Sequence, residues 1–201
     1  RRAGRDTAHP GAHVSREDAS TAPGTPGASA CPACGALLPG EGHAGSGAAA
    51  RCRSAYERVL ADLYSVPALL GLRQLAVDAY AVQHPERPGR AADQSLGLHL
   101  MTLCLFAERG VDAARGPALH KHMVARRPQF GPLDPPANRG AVTVCDVPPG
   151  RDPQFAAALR SWADAAWTAW APHHDVVRAW LREAGLADID ERPHPGALPR
   201  A

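Results

Sequence analysis

The stretch that decides the fold is ADQSLGLHLMTLCLFAERG, residues 92–110. Its apolar residues occupy almost every side of a helix, a pattern typical of a helix buried at the centre of a domain. Asp93 or Ser95 can cap the start of this helix, and Gly110 is placed to end it. The stretch therefore predicts a central helix against which the rest of the chain packs.

Apolar residues at helical spacing continue on both sides of this stretch. Further helices are predicted over residues 54–65, 66–84, 111–128 and 153–185, the last interrupted at Pro172. No strands alternate with these helices, so a parallel sheet is not expected. We predict an all-α bundle of about five helices, with a small zinc-knuckle-like segment on its N-terminal side.

The domain organisation follows from composition. The chain has 201 residues, 45% of them hydrophobic, which is enough for one domain with a real core. Residues 1–30 contain mostly small residues, Pro and scattered charges, and are predicted to be a disordered leader. A single helical domain is expected over residues 31–185, including a cysteine knuckle at 31–52. Residues 186–201 are predicted to be a flexible tail.

Charge and hydropathy exclude several classes of protein. The net charge of +2 gives no electrostatic case for binding nucleic acid. No apolar run reaches the roughly 18 residues needed to span a membrane, and the N-terminal residues lack the apolar core of a secretory signal. We therefore expect a cytoplasmic protein. In a reducing compartment, its five cysteines argue against a disulfide framework.

Three of the cysteines predict a metal site. Cys31 and Cys34 in CPACG have the spacing of a zinc knuckle, in which two thiolates face one ion and the following glycine permits the turn. Cys52 is the expected third ligand, and His43 in the glycine-rich loop is the expected fourth. The prediction is a closed, structural Cys₃His site for Zn²⁺. The alternatives are a CxxC redox pair, which normally needs a βαβ context, and a pair of exposed thiols without a role.

A second site is predicted from histidines in the helical body. Its candidate residues are His84, His99, His173 and His174, with Asp78 and Tyr80 from the helix that ends near His84. His99 shares a helical face with Leu96 and Leu103, so its ring is expected to be buried and to need a hydrogen bond or a metal. Together these residues are predicted to form a pocket for a small ligand or a second metal.

The same residues have a plainer interpretation, as histidines that are satisfied in the core or at helix ends. Trp162, Trp167 and Trp170 are likewise adequately explained as bulky core residues packed against small ones. His120 and His122 lie on a more polar helix and are interpreted as surface residues.

As a set, the motifs resemble an uncharacterised bacterial family, a domain of unknown function. The segments that carry the resemblance are CPACG followed by GH and a third cysteine, LAVDAYAVQHP, HLMTLCLFAERG, TVCDV and WTAWAPHHDVVRAW. The resemblance covers roughly residues 31–182 and implies a cytoplasmic protein with no assigned activity. The positions that match are Cys31, Cys34, His43, Cys52, Asp78, Tyr80, Gln83, His84, His99, Asp146, His173 and His174.

Three functions remain open from the sequence. The leading hypothesis is a zinc-stabilised helical protein whose histidine pocket binds a small molecule or a second metal. The second is a metal-dependent enzyme on a helical bundle, similar in layout to the thiol-transferase bundles, with an open histidine site. The third is a regulatory or protein-interaction module, in which the knuckle contacts a partner protein.

Overall fold

A computed structural model of the protein describes residues 29–38, 47–86, 88–126, 129–187 and 189. Six α-helices lie within these ranges: α1 (Ala48–Ser65), α2 (Arg73–Gln83), α3 (Arg90–Arg109), α4 (Gly116–Ala125), α5 (Phe155–Ala169) and α6 (His174–Glu183). A short antiparallel hairpin, β1 (Ser29–Ala30) and β2 (Leu37–Leu38), precedes α1. The predicted all-α bundle is confirmed. Most of the predicted leader and of the predicted tail lies outside the described residues.

The last predicted helix is divided in two. Pro172 lacks an N–H donor and its ring clashes with the preceding helical turn. Helix α5 therefore ends at Ala169, a 3₁₀ turn covers Ala171–His173, and α6 begins at His174. This break explains why the bundle has six α-helices in the described residues, where the sequence predicted about five.

Helix α3 occupies the centre of the bundle. It packs against α2, α4, α5 and α6, and Leu100, Met101 and Leu105 on its length have no exposed surface. It ends where the sequence predicted, because Gly110 adopts the left-handed conformation, with φ of 61°. The stretch that predicted the fold is thus the helix against which four of the other five helices of the described residues pack.

Two tryptophans hold the end of α2 in place. Trp162 Nε1 donates to Oε1 of the fully buried Gln83 at 2.8 Å, and Trp170 Nε1 donates to the Val82 carbonyl at 3.2 Å. Gln83 Nε2 in turn donates to the carbonyls of Arg139 and Val142, at 2.8 and 2.9 Å. These aromatic residues fill the core as predicted, and their N–H groups also fix the backbone next to His84.

A glycine lets α4 approach α2 closely. A Cβ atom at Gly116 would lie 2.2 Å from Cγ of Gln74, well inside van der Waals contact. The absence of a side chain at this position therefore allows the first turn of α4 to rest against α2. One turn later, His120 reaches the same face of α2.

An ion pair between α3 and α6 gives a prediction about acid stability. Arg178 donates to both carboxylate oxygens of Glu108, at 2.8 and 2.9 Å, and this lowers the pKa of Glu108 below its ordinary value. A carboxyl whose pKa is lower in the folded chain than in the unfolded chain stabilises the fold at any pH above its unfolded-state pKa, which is about 4.3 for Glu. This stabilisation is lost as the pH falls through the folded-state pKa. Arg178→Ala is expected to lower the free energy of unfolding by about 0.5–1 kcal/mol at pH 7, because the pair is partly solvated.

Urea denaturation of both proteins between pH 7 and pH 3 measures this effect. The difference between them is expected to persist above pH ~4.3 and to shrink below it. Arg182→Ala serves as the matched control, because Arg182 is exposed and, among the described residues, donates only to the Arg178 carbonyl. A difference that stayed constant down to pH 3 would contradict the assignment to Glu108.

None of the helices in the described part of the chain combines the length and the apolar character that crossing a bilayer requires.

Candidate metal centres

The CPACG segment forms a tight turn between the two short strands. The Cys31 N–H donates to the Ala36 carbonyl, and the Gly35 N–H donates to the Cys31 carbonyl, each at 2.9 Å. Gly35 has φ of 77°, a conformation that a residue with a side chain rarely adopts. The turn brings Cys31 and Cys34 to one side, and both are buried.

Two further residues complete a group of four around this turn. Cys52 lies near the start of α1, and His84 lies immediately after α2, whose last residue is Gln83. Cys34 Sγ is 3.7 Å from Cys52 Sγ, and His84 Nε2 is 3.3 Å from Cys52 Sγ and 3.7 Å from Cys31 Sγ. The four donor atoms all lie within 4.8 Å of one another.

The surroundings of His84 orient its ring. His84 Nδ1 lies 2.9 Å from the Tyr80 carbonyl oxygen, which can only accept a hydrogen bond. Nδ1 therefore donates to this carbonyl, and Nε2 is the ring nitrogen that faces the cysteines. The Tyr80 ring stacks on the imidazole with 4.0 Å between centroids. Histidines that bind metals usually donate their other ring N–H to an acceptor such as a backbone carbonyl, and this hydrogen bond fixes the tautomer and the ring orientation.

Hydrogen bonding within the group favours a thiolate. The hydrogen bond from Cys52 lowers the pKa of the Cys34 thiol, and His84 lowers it further. The pKa of Cys52 is raised by its hydrogen bonds with Cys145 and Cys34 and by burial. Cys145 thus touches the group but is not one of the four residues that converge. Since metals bind thiolates, this arrangement gives Cys34 the protonation state that a metal requires.

The predicted ligands Cys31, Cys34 and Cys52 are brought together, and the fourth member of the described group is His84. His43, the fourth ligand predicted from the sequence, lies outside the described residues. The sequence assigned His84 to a separate histidine pocket. It lies 32 residues from Cys52 along the chain, and the folding of α2 against α1 brings the two side chains together.

A cleft of about 400 Å³ lies beside this group, between α1, α2 and α3. Tyr56, Tyr80, His84 and His99 are among the side chains that line it. Three residues of the predicted histidine pocket, Tyr80, His84 and His99, are therefore found together. Asp78, another of the six predicted residues, is fully buried and contacts His99.

Asp78 is the centre of a second group. His99 Nδ1 on α3 is 2.6 Å from Asp78 Oδ1, and His120 Nε2 on α4 is 3.3 Å from the same oxygen. Gln74, one helical turn before Asp78, donates from Nε2 to that oxygen at 2.8 Å. Ligand atoms of Asp78, His99 and His120 all lie within 4.8 Å of one another.

The structure places His173 and His174 at the corner between α5 and α6, and neither lines the cleft. His173 Nε2 donates to the Asp134 carbonyl at 2.9 Å. The His174 ring stacks on Trp167 with 3.7 Å between centroids, and its Nε2 donates to the Trp167 carbonyl at 3.0 Å. Both rings thus have backbone acceptors where Pro172 interrupts the helix.

Sequence reasoning assigned His120 to the surface, whereas the structure places it against Asp78. A signal for this was present in the sequence. Gly116, His120 and Met123 share one side of α4 at spacings of four and three residues, and Gly116 and Met123 are buried. His120 lies between them at the edge of that buried face.

The profile of one family, described as "Family of unknown function (DUF5946)", matches residues 29–171, which is more than half of the chain. All the members of both groups fall within this range. No curated protein and no solved structure matches the chain.

Proposed function

Because the chain belongs to DUF5946, a family of unknown function, we propose its function from its own residues. The protein binds one structural Zn²⁺ through Cys31, Cys34, Cys52 and His84. The ion fastens the N-terminal hairpin to α1 and to the end of α2.

The observation that carries this proposal is the convergence of four donor atoms from three separate segments. In a tetrahedral site with Zn–S of about 2.3 Å and Zn–N of about 2.0–2.1 Å, neighbouring donor atoms lie roughly 3.3–3.8 Å apart. Three of the six donor-atom separations lie in this range: Cys34–Cys52 and Cys31–His84 at 3.7 Å, and Cys52–His84 at 3.3 Å. All four donor atoms lie within 4.8 Å of one another. The group therefore has the ligand types of a Cys₃His zinc site, and small side-chain movements bring its donors to tetrahedral spacing.

Burial supports a structural role for this ion. Cys31, Cys34 and Cys52 are 2%, 6% and 0% exposed, and four protein ligands leave no coordination position for a substrate. Closed four-ligand sites of this kind stabilise folds, whereas catalytic zinc sites keep one position open.

A redox role for the CxxC pair fits less well. Such pairs are expected beside a βαβ unit, and the described residues contain only a two-residue hairpin and helices. Cys34 also lies against Cys52, and Nε2 of the His84 imidazole faces the thiols of Cys31 and Cys52. These additional donors serve a metal and have no part in a simple dithiol pair.

The assignment of the fourth ligand is tested by two histidine variants of the full chain. His84→Ala is expected to weaken zinc binding at least tenfold, since loss of an outer-shell partner alone costs about 10–100-fold. His43→Ala is expected to leave the affinity unchanged. Competition with a chromophoric chelator measures both dissociation constants. A loss of affinity in His43→Ala, with none in His84→Ala, would overturn the proposed ligand set.

A metal-dependent enzyme is the second candidate function, and the Asp78 group beside the cleft is the observation that favours it. A buried carboxylate with two imidazoles is a common donor set for a metal with open coordination positions. The interaction-module hypothesis remains a prediction from the sequence.

A further inference from the structure

We propose that Asp78, His99 and His120 bind a divalent transition-metal ion at a second site, independent of the cysteine group. The three residues come from three different helices, α2, α3 and α4. Two nitrogen donors lie 2.6 and 3.3 Å from one oxygen of Asp78, and ligand atoms of all three residues lie within 4.8 Å of one another. A shared ion with bonds of about 2.0–2.2 Å needs donors roughly 3–3.5 Å apart, so small side-chain movements suffice.

The Asp78 carboxylate has an oxygen without a partner. Oδ1 accepts contacts from Gln74, His99 and His120, while the buried Oδ2 has no hydrogen-bond partner among the described residues. Asp78 itself has no exposed surface. Buried carboxylate oxygens are almost always satisfied, because leaving one unpaired costs the free energy of its lost hydration. An ion bound at Asp78 gives a positively charged partner either to Oδ2 or to Oδ1, which already accepts the three contacts.

The buried charge also needs compensation. Within the described ranges, Asp78 pairs with His99 and His120 and with no lysine or arginine. No permanently charged side chain of the described residues therefore pairs with this carboxylate, and a bound metal ion supplies the missing positive charge.

The donor set selects the class of metal. Two imidazole nitrogens and one carboxylate oxygen suit Zn²⁺, Co²⁺, Fe²⁺ or Ni²⁺, whereas Mg²⁺ and Ca²⁺ prefer oxygen donors alone. Gln74 Nε2 donates to Asp78 and lies 3.3 Å from His120 Nε2. Gln74 therefore orients two of the proposed ligands without being a ligand itself.

Solvent reaches this second site. The side chains of His99 and His120 are 16% and 21% exposed, and His99 lines the cleft that also contains Tyr80 and His84. An ion held by three protein ligands keeps at least one position for water or a small molecule, which is the arrangement of catalytic metal sites. The second site therefore differs from the cysteine group in its donor types and in its number of ligands.

Cobalt titration of the metal-free full chain tests this proposal. Co²⁺ bound by thiolates gives charge-transfer absorbance in the near ultraviolet, whereas Co²⁺ bound by nitrogen and oxygen does not. The wild type is expected to bind two Co²⁺ per chain, only one with the thiolate band. His120→Ala is expected to keep the thiolate band and to bind the second Co²⁺ at least about tenfold more weakly. The control His122→Ala, an exposed position on the same helix, is expected to bind both ions normally.

Asp78→Asn provides a second variant that preserves side-chain shape while removing the charge. It is also expected to lose the second Co²⁺ and to keep the thiolate band, which reports a folded cysteine group. The proposal is overturned if the wild type binds no Co²⁺ outside the thiolate site, or if either folded variant binds the second ion as tightly as the wild type. Failure of the zinc proposal is recognised separately, as absence of the thiolate band in the wild type.

Discussion

Replacing Cys34 with serine is expected to remove most of the zinc and to lower the free energy of unfolding by about 3–4 kcal/mol in zinc-containing buffer. A ligand that binds only the folded chain stabilises it by about 2.7 kcal/mol at a hundred times its Kd and by about 4.1 kcal/mol at a thousand times. The serine hydroxyl is a poor zinc ligand at neutral pH, so this stabilisation is lost. The hairpin, α1 and the end of α2 also lose the ion that joins them.

Thermal denaturation with and without a strong chelator measures this effect. The chelator is expected to lower the Tm of the wild type much more than that of Cys34→Ser, because the variant can lose only an ion bound at the Asp78 group. Cys145→Ser is the matched control, because Cys145 touches Cys52 but is not one of the four converging residues. An equal loss of zinc in Cys145→Ser would show that the ligand set is misassigned.

Replacing Gln83 with leucine is expected to destabilise the fold by about 3–5 kcal/mol. The substitution roughly preserves volume but leaves the Trp162 N–H and the carbonyls of Arg139 and Val142 without their partner. Each buried polar group left unsatisfied costs about 1–3 kcal/mol. Because Gln83 precedes His84, the variant is also expected to bind zinc more weakly.

Urea denaturation and zinc competition together measure these two effects. Gln154→Leu makes the same substitution at an exposed position and is expected to change stability by less than about 0.5 kcal/mol. If Gln83→Leu were as mild as this control, the hydrogen bonds at the end of α2 would have no energetic importance.

The helical fold could be predicted from sequence because its signals are local. The continuous apolar run around Leu100 predicted a central helix, Gly110 predicted its end, and Pro172 predicted the break between α5 and α6. Each signal depends on the conformational preference of one residue or on spacing along one helix. The hydrogen bonds of Trp162 and Trp170 to α2 join residues 79 and 88 positions apart, and no local pattern contains them.

The cysteine ligands were predictable for the same reason, and the position of His84 was not. The CxxC spacing identifies Cys31 and Cys34 directly, and Cys52 is the next cysteine along the chain. The fourth residue of the group comes from the end of α2, and its place depends on how α1 and α2 pack. Proximity in sequence pointed to His43, whereas the packing of α2 brings His84 to the sulfur atoms.

The Asp78 group was predicted only in part. The sequence placed Asp78 and His99 in one predicted pocket, but it grouped them with His173 and His174. Those two histidines lie at the break after α5 and donate hydrogen bonds to backbone carbonyls there. His120 reaches Asp78 because Gly116 lets α4 lie close to α2, and this contact requires knowledge of the tertiary packing.

The most direct test of the central claim is X-ray absorption at the zinc edge of the His120→Ala protein loaded with one Zn²⁺ per chain. This variant restricts the ion to the cysteine group. The ligand set proposed here predicts three sulfur neighbours at about 2.3 Å and one nitrogen neighbour at about 2.0–2.1 Å. A coordination shell of nitrogen and oxygen alone, or failure of the protein to retain zinc, would contradict it.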